Sequence, residues 1–376
     1  MAAVNIMSIA SEVPDQRVLS EDIINAMEGK VSNGVADMMK NMDIRQRYSV
    51  VEDYSRYLSG KKERKLISNV NQLAVKSIHK CVNAVKEKLD INLFIAITNT
   101  ALRPLPCMAY EIMSMIDETV IPRNTNVINM QNQGCSTMVK ALEIAQNYLK
   151  LDENKQVMIT IAETHTAMCP AILGNNVLSY AEIDELVNLD DKKEALLELN
   201  KLINGYLFGD GAITILLSNN NSKSTFICEH VTNLSPGDTD ILYMNEGGSL
   251  IPSYSGFPHY YLSKSVPLRG IIYSKYLLKQ ILAGMPQEEF VKNLDLVFIH
   301  TGSKKIIDCI LRALKFGGHE EKSAISYSVL EQYGNLSACS LAFMLEKAIN
   351  DNQKLGKVLL ASFGVGFSGS MASWSF

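Results

Sequence analysis

The feature that most limits how this chain can fold is a recurrence. Short apolar runs of strand length, each followed by a polar turn and then by apolar residues at helical spacing, return along most of its length. The runs cover residues 4–10, 93–98, 126–130, 156–162, 212–217, 294–299 and 357–361, with 370–376 as a last strand. Most are continuous rather than alternating, as expected for strands covered on both faces. Helix-period segments fall at about 69–89, 108–116, 137–149, twice between 179 and 203, and at 267–283, 304–314 and 336–349. This rhythm predicts an α/β fold with mostly parallel sheets. The order of strand, polar residue and helix is similar in the two halves without any letter-level repeat, which predicts a pseudo-duplicated fold.

Local signals refine the expectation. Pro14 cannot serve an inner strand and should mark the exit from the first one. Ser20 followed by Glu21 and Asp22 reads as a capped helix start, and residues 44–50 alternate bulky with polar side chains. Residues 222–262 are rich in Ser, Asn, Gly and Pro, and predict a long irregular excursion that lines a site.

Composition excludes several functions. With 376 residues, 47% hydrophobic and 20% charged, the chain can bury a large core or two fused ones. A net charge of -4 argues against a general nucleic-acid binder. Cysteines 81, 107, 135, 169, 228, 309 and 339 show no C-x-x-C pair and no Cys/His spacing typical of a metal site, so reduced thiols and no metal are expected. There is no basic leader with a long apolar stretch, and no run of about 18 apolar residues, which predicts a cytoplasmic protein with no membrane span. The run Lys61, Lys62, Glu63, Arg64, Lys65 reads either as a solvated loop or as a dock for phosphates or an acidic carrier protein.

Sites in α/β sheets form beyond the carboxyl ends of strands. Cys135 follows the run ending at Met130 and opens an amphipathic helix, where unpaired N–H groups and the helix dipole favour a thiolate. Its other reading is a small buried hydrophobe. His300 follows residues 294–299, and Asn335 sits in the turn Tyr333-Gly334-Asn335-Leu336-Ser337 that opens a helix. Glu163 and His165 end another strand, as a supporting shell or as a second acid or base. Gly209-Asp210-Gly211 reads as a structural turn. Gly364, Gly366, Ser368 and Gly369 would let backbone approach the cysteine and complete an oxyanion hole. Methionines around 108–115 and at 168 suit a greasy tunnel or plain core packing.

In their order along the chain, these motifs resemble the condensing enzymes of the thiolase superfamily, in particular the β-ketoacyl-ACP synthase III and type III polyketide synthase branches. The resemblance runs from the Pro14 segment and Asp43-Ile44-Arg45-Gln46-Arg47 through Gly134-Cys135-Ser136, Phe208-Gly209-Asp210-Gly211-Ala212, His300-Thr301-Gly302 and Tyr333-Gly334-Asn335-Leu336-Ser337-Ala338 to Phe363-Gly364-Val365-Gly366-Phe367-Ser368. It implies a thiolase-like fold of two βαβαβ halves in a five-layer αβαβα core, residues 1–220 carrying the nucleophile and 221–376 carrying His and Asn. It further implies a Cys135, His300, Asn335 triad, acyl groups delivered as coenzyme A or ACP-phosphopantetheine thioesters with no tightly bound cofactor, and a homodimer or a heterodimer with a related chain. His300-Thr301-Gly302-Ser303 departs from the His-Gln-Ala-Asn of synthase III and is nearer the His-Pro-Gly-Gly of type III polyketide synthases. Such hybrids resemble enzymes that join acyl chains into pyrones, cyclohexanediones or resorcinols. The alternatives are a non-decarboxylating acyltransferase or a non-catalytic partner subunit.

Overall fold

The structure is a computed structural model that describes residues 4–87, 89–152, 154–219, 224–253, 255–300 and 302–376. The apolar runs assemble into two sheets. The first contains β1 (Asn5–Glu12), β2 (Ile91–Thr98), β3 (Asn126–Gln131), β4 (Gln156–Thr164) and β5 (Asp210–Ser218), in the order β1-β5-β4-β2-β3. The second contains β6 (Thr225–Thr232), β7 (Leu296–Ile299), β8 (Lys357–Gly364) and β9 (Ser368–Ser375), in the order β7-β8-β9-β6. The second sheet repeats the order and strand directions of the first, without a counterpart of the outer strand β3 among the described residues.

Strand pleating explains the layers. Successive side chains point to opposite faces, so Leu93, Ile95 and Ile97 enter a central core while Phe94 and Ala96 enter an outer one. In the second sheet Leu296 and Phe298 point to the same centre, and Val297 and Ile299 point to a third core. The centre is filled by α3 (Thr137–Leu149) and α7 (Ser340–Asn350). Outside the first sheet pack α1 (Val70–Asn83), α2 (Met108–Met115) and α4 (Leu189–Leu207); outside the second pack α5 (Val266–Leu282) and α6 (Lys304–Ala313). The result is five layers, αβαβα. Each fully buried Leu, Ile or Phe in them contributes roughly 1.5–3 kcal/mol of transfer free energy.

Several expectations are corrected. The sheets are mixed: β2/β3, β2/β4 and β7/β8 are parallel, but β1/β5, β4/β5, β8/β9 and β9/β6 are antiparallel. The short Val365–Phe367 connection forces β8 and β9 antiparallel, because a parallel pair needs a crossover. The excursion at 222–262 contains β6, an eight-residue strand hidden in the sequence because it is a half-exposed edge carrying Glu229 and His230. Ser20 is not a cap; its hydroxyl donates to the Ile44 carbonyl and accepts from Arg47 Nη2. Helices Gln287–Lys292 and Ala324–Tyr333 were not expected, and α7 starts at Ser340 after a single 3-10 turn. The expected boundary at 220/221 and Thr301 of the histidine motif lie outside the described residues. Among those described, no helix is long and apolar enough to cross a membrane.

Candidate active site

Cys135 lies between β3 and α3, one residue before the helix N-cap Ser136. Two glycines put it there. Gly134 has φ +74, and a Cβ on it would meet Val365 N at 2.4 Å; a Cβ on Gly364 would meet Cys135 N at 2.6 Å. The Gly134 and Gly364 backbones therefore touch in a way that no side chain would allow. Ser136 Oγ and Ser368 Oγ, 2.9 Å apart, tie the same two loops together. Val365 forms the cavity wall here, while Gly364 and Ser368 hold the loop from behind; Gly366, at φ +108, completes the turn. Gly369 packs against Leu277 and Tyr273, away from the cysteine.

His300 extends the β7 ladder, its N–H donating to Ala361 O at 2.9 Å. It is buried, its Nδ1 has no partner among the described residues, and burial pulls the imidazole down to about 4, so it is neutral at pH 7. Asn335 is pinned to the end of α4: its N–H donates to Leu207 O (2.9 Å), and its carbonyl accepts from Gly209 N–H (3.1 Å). Its Oδ1 accepts from Ser337 N–H at 2.8 Å, which leaves the Nδ2 donors on the other side of the amide. Cys135, His300 and Asn335 line one cavity of about 540 Å³, with Phe208, Phe363 and Phe367 around them.

Two residues that sequence reasoning missed connect this wall. Asn99 follows the end of β2, the same kind of position that singles out His300. Its Oδ1 accepts from Gly134 N–H (2.9 Å), and its Nδ2 donates to Glu163 Oε1 (2.6 Å) and Ser337 Oγ (3.3 Å). Ser337 has φ +52, a strained conformation for a residue with a side chain, and its Oγ lies 3.4 Å from Cys135 Sγ. No sequence signal marks that torsion.

Glu163 and His165 sit behind the cavity wall. Glu163 is wholly buried and accepts from Asn99 and Thr100; burial pushes its carboxyl up to about 7, with those hydrogen bonds pulling back. His165 Nε2 is 3.5 Å from Glu163 Oε2, its Nδ1 is 2.8 Å from His259 Nε2, and its ring stacks on Phe208. Burial drives His165 well below the ordinary histidine range and His259 to about 3, so both are neutral. Asp210, in the Gly-Asp-Gly turn, accepts from Val50 N–H and from both Thr166 donors and joins three segments.

The thiol reverses one expectation. Burial pushes Cys135 up to about 12, against the pull of the Ser337 hydroxyl and with a further push from Glu163. The position before a helix is as read, but the resting sulfur is a thiol. The basic run lies in a largely exposed loop, as its solvated-loop reading has it: Lys62 and Lys65 pair with Glu52, Lys61 donates to Ala26 O, and Arg64 lines a second cavity of about 720 Å³ with Thr100, Thr164 and Met168. The lysines on the Cys135 cavity are Lys264, paired with Asp184, and Lys305. Met108 is plain core, and the methionines on the Cys135 cavity are Met38 and Met42.

Two mixed sheets in five layers, with a cysteine, a histidine and an asparagine on one cavity, form a thiolase-like fold. Residues 289–375 match the family 3-oxoacyl-[acyl-carrier-protein (ACP)] synthase III C terminal. The chain is 24% identical over 377 residues to the β-ketoacyl-[acyl-carrier-protein] synthase III of Ehrlichia ruminantium (strain Welgevonden), with 98% of each chain covered. It superimposes on the C-terminal type III polyketide synthase domain of Steely1 from Dictyostelium with TM-score 0.75 at 14% identity, covering 99% of each. It also superimposes on CsyB complexed with CoA-SH with TM-score 0.71 at 18% identity, covering 99% of this chain and 100% of that one. The chain is therefore similar in sequence to β-ketoacyl-ACP synthase III and in fold to type III polyketide synthases.

Proposed function

We propose that this enzyme joins two thioester-borne acyl units through Cys135, His300 and Asn335, in specialised metabolism of polyketide or fatty-acid type. The observation that carries the reading is the meeting of these three side chains on one cavity, with Asn335 Oδ1 occupied by Ser337 N–H so that the amide offers donors to a ligand. In the first half-reaction the Cys135 sulfur attacks the carbonyl of an acyl thioester of coenzyme A or an acyl carrier protein. The carrier thiol leaves with the thiol proton, and an acyl-cysteine remains. A preformed thiolate–imidazolium pair is unfavourable: a thiol near 12 and an imidazole near 4 differ by on the order of 10 kcal/mol before their mutual attraction. Proton loss to neutral His300 therefore accompanies attack.

In the second half-reaction a malonyl or β-ketoacyl thioester places its carbonyl oxygen against His300 and Asn335. Breaking the C–CO₂ bond, or removing an α-proton, leaves an electron pair on the enolate, and the two donors stabilise it; losing one such donor costs about 10²–10³ in rate. The carbanion attacks the acyl-cysteine carbonyl, the carbon–sulfur bond breaks, and the Cys135 sulfur leaves and regains its thiol proton, from solvent after decarboxylation or as the proton taken from the α-carbon. The cavity beside Thr100 and Met168 offers room for an acyl chain or for cyclisation to a pyrone, cyclohexanedione or resorcinol. Backbone around Val365, supported by Gly364, Gly366 and Ser368, serves the acyl intermediate, and Glu163 with His165 supports the wall. In this reading residues 1–220 supply the nucleophile and 221–376 the two donors, no cofactor is held tightly, and the enzyme works in the cytoplasm as a homodimer or with a related chain.

The test is intact-protein mass spectrometry of wild type and Cys135→Ala after incubation with acyl-CoA and acyl-carrier thioesters. A mass increase on wild type alone is expected, with CO₂ release on adding a malonyl thioester. An adduct without carbon–carbon product for any extender would instead favour acyl transfer to oxygen or nitrogen. An unmodified Cys135 would favour a non-catalytic subunit.

A further inference from the structure

Away from the cavity, three side chains of different chemistry meet beside the middle layer. Cys228 and His230 are two residues apart on β6 and so project from one face of the strand. Glu143 comes from α3, the helix that Cys135 precedes. A donor atom from each, the Cys228 sulfur, a His230 ring nitrogen and a Glu143 carboxylate oxygen, lies within 4.8 Å of the other two, and all three residues are part-buried. His230 Nε2 is 3.0 Å from Glu143 Oε2, and its Nδ1 is 2.8 Å from Ser370 Oγ on β9. An outer hydrogen bond on one ring nitrogen is how proteins orient an imidazole whose other nitrogen binds a metal.

We propose that Glu143, Cys228 and His230 form a site for one zinc-class divalent ion, with water in the fourth position. A sulfur, an imidazole nitrogen and a carboxylate suit Zn²⁺ and its analogues, whereas Ca²⁺ and Mg²⁺ require oxygen ligands. A tetrahedral ion with bonds of about 2.0–2.3 Å spaces its donors by about 3.3–3.8 Å, so side-chain shifts of about 1 Å close the trio. On binding, Cys228 gives its proton to solvent. The thiolate and carboxylate then neutralise the dication, which suits a half-buried position. The spacing Cys-x-His alone does not announce such a site, since its third ligand lies 87 residues before His230. The ion would clamp α3, from the first half of the chain, to β6, the edge strand of the second sheet.

The test titrates reduced, full-length protein with Zn²⁺ against a chromophoric chelator. One equivalent should bind with a dissociation constant of about 1 μM or tighter, equally in wild type and Cys135→Ala. Cys228→Ser and His230→Gln should weaken it about 100-fold or more, with acylation of Cys135 and the circular dichroism spectrum unchanged. Glu143→Gln, at a more exposed position, should weaken it without touching the strand. Co²⁺ should give a near-ultraviolet sulfur-to-metal charge-transfer band that Cys228→Ser abolishes. Zn²⁺ should raise the thermal midpoint of wild type and not of the variants. Absence of stoichiometric binding, binding that survives Cys228→Ser, or binding that disappears in Cys135→Ala would overturn the proposal.

Discussion

Cys135 feels opposing influences: the start of α3 and the Ser337 hydroxyl favour its thiolate, and burial opposes it more strongly. Its reactivity therefore depends on what the substrate brings and on the neutral His300. Cys135→Ala should abolish acylation. His300→Ala should slow the adduct, because its imidazole takes the thiol proton, whereas Asn335→Ala should leave acylation intact; each should lower condensation about 10²–10³-fold, measured by comparing adduct formation with product release, and loss of acylation in Asn335→Ala would sink the assigned division of labour. His300 also carries a stability signature. Its folded value, about 4, lies below the ordinary 6.5, so the unfolded chain takes up the proton first as pH falls. Its contribution is present above 6.5 and is lost as pH drops through 4. Relative to wild type, His300→Gln should gain on the order of 3 kcal/mol between pH 7 and pH 4 in urea unfolding. Glu163 has a raised value and acts in the opposite sense in both proteins, so the difference isolates His300. Cys135, His300 and Asn335 were legible because each stands at a strand end or a helix-opening turn. Asn99 satisfies the same rule and was passed over because an amide after a strand carries no obvious chemistry. Ser337 was invisible, since its importance rests on a backbone torsion.

Among the elements, the loop joining β8 to β9 matters as much as α3. Gly134 and Gly364 each occupy space that the other's Cβ would need, and Gly134 also requires a positive φ. Gly134→Ala or Gly364→Ala should destabilise the protein by roughly 2–5 kcal/mol. By moving Cys135 relative to His300, either should also slow acylation about 10²-fold. Thermal unfolding and the rate of mass gain measure the two effects; an alanine variant with wild-type kinetics would show that the contact does not position the nucleophile. The buried strands were legible because interior strands are apolar on both faces, as at 156–162. β6 was not, because an edge strand keeps polar residues such as Glu229 and His230. Strand direction was also hidden, since it is set by connections and not by apolar runs.

At the scale of the molecule, the cavity takes its lining from distant parts of the chain: Met38 and Tyr180 come from before the expected 220/221 boundary, Lys264 and Lys305 from after it. These two lysines are not equivalent. Lys264 is engaged by Asp184 at 2.6 Å, whereas Lys305, exposed on the cavity lining, has no ion pair among the described residues. In the proposed reaction a phosphate-bearing carrier held by Lys305 gains attraction that is lost on leaving, while its acyl carbonyl reacts at Cys135. Lys305→Glu should raise KM for a coenzyme A thioester about 10-fold, equivalent to about 1.4 kcal/mol, with kcat unchanged. An N-acetylcysteamine thioester of the same acyl group, which lacks the phosphates, should show no change. The difference between the two substrates should shrink as salt is added, because an exposed cation is screened beyond about 10 Å at 0.1 M. An equal loss with both substrates would instead place Lys305 in the architecture of the cavity and shift carrier recognition to the second cavity, whose lining carries Arg64 and Lys201.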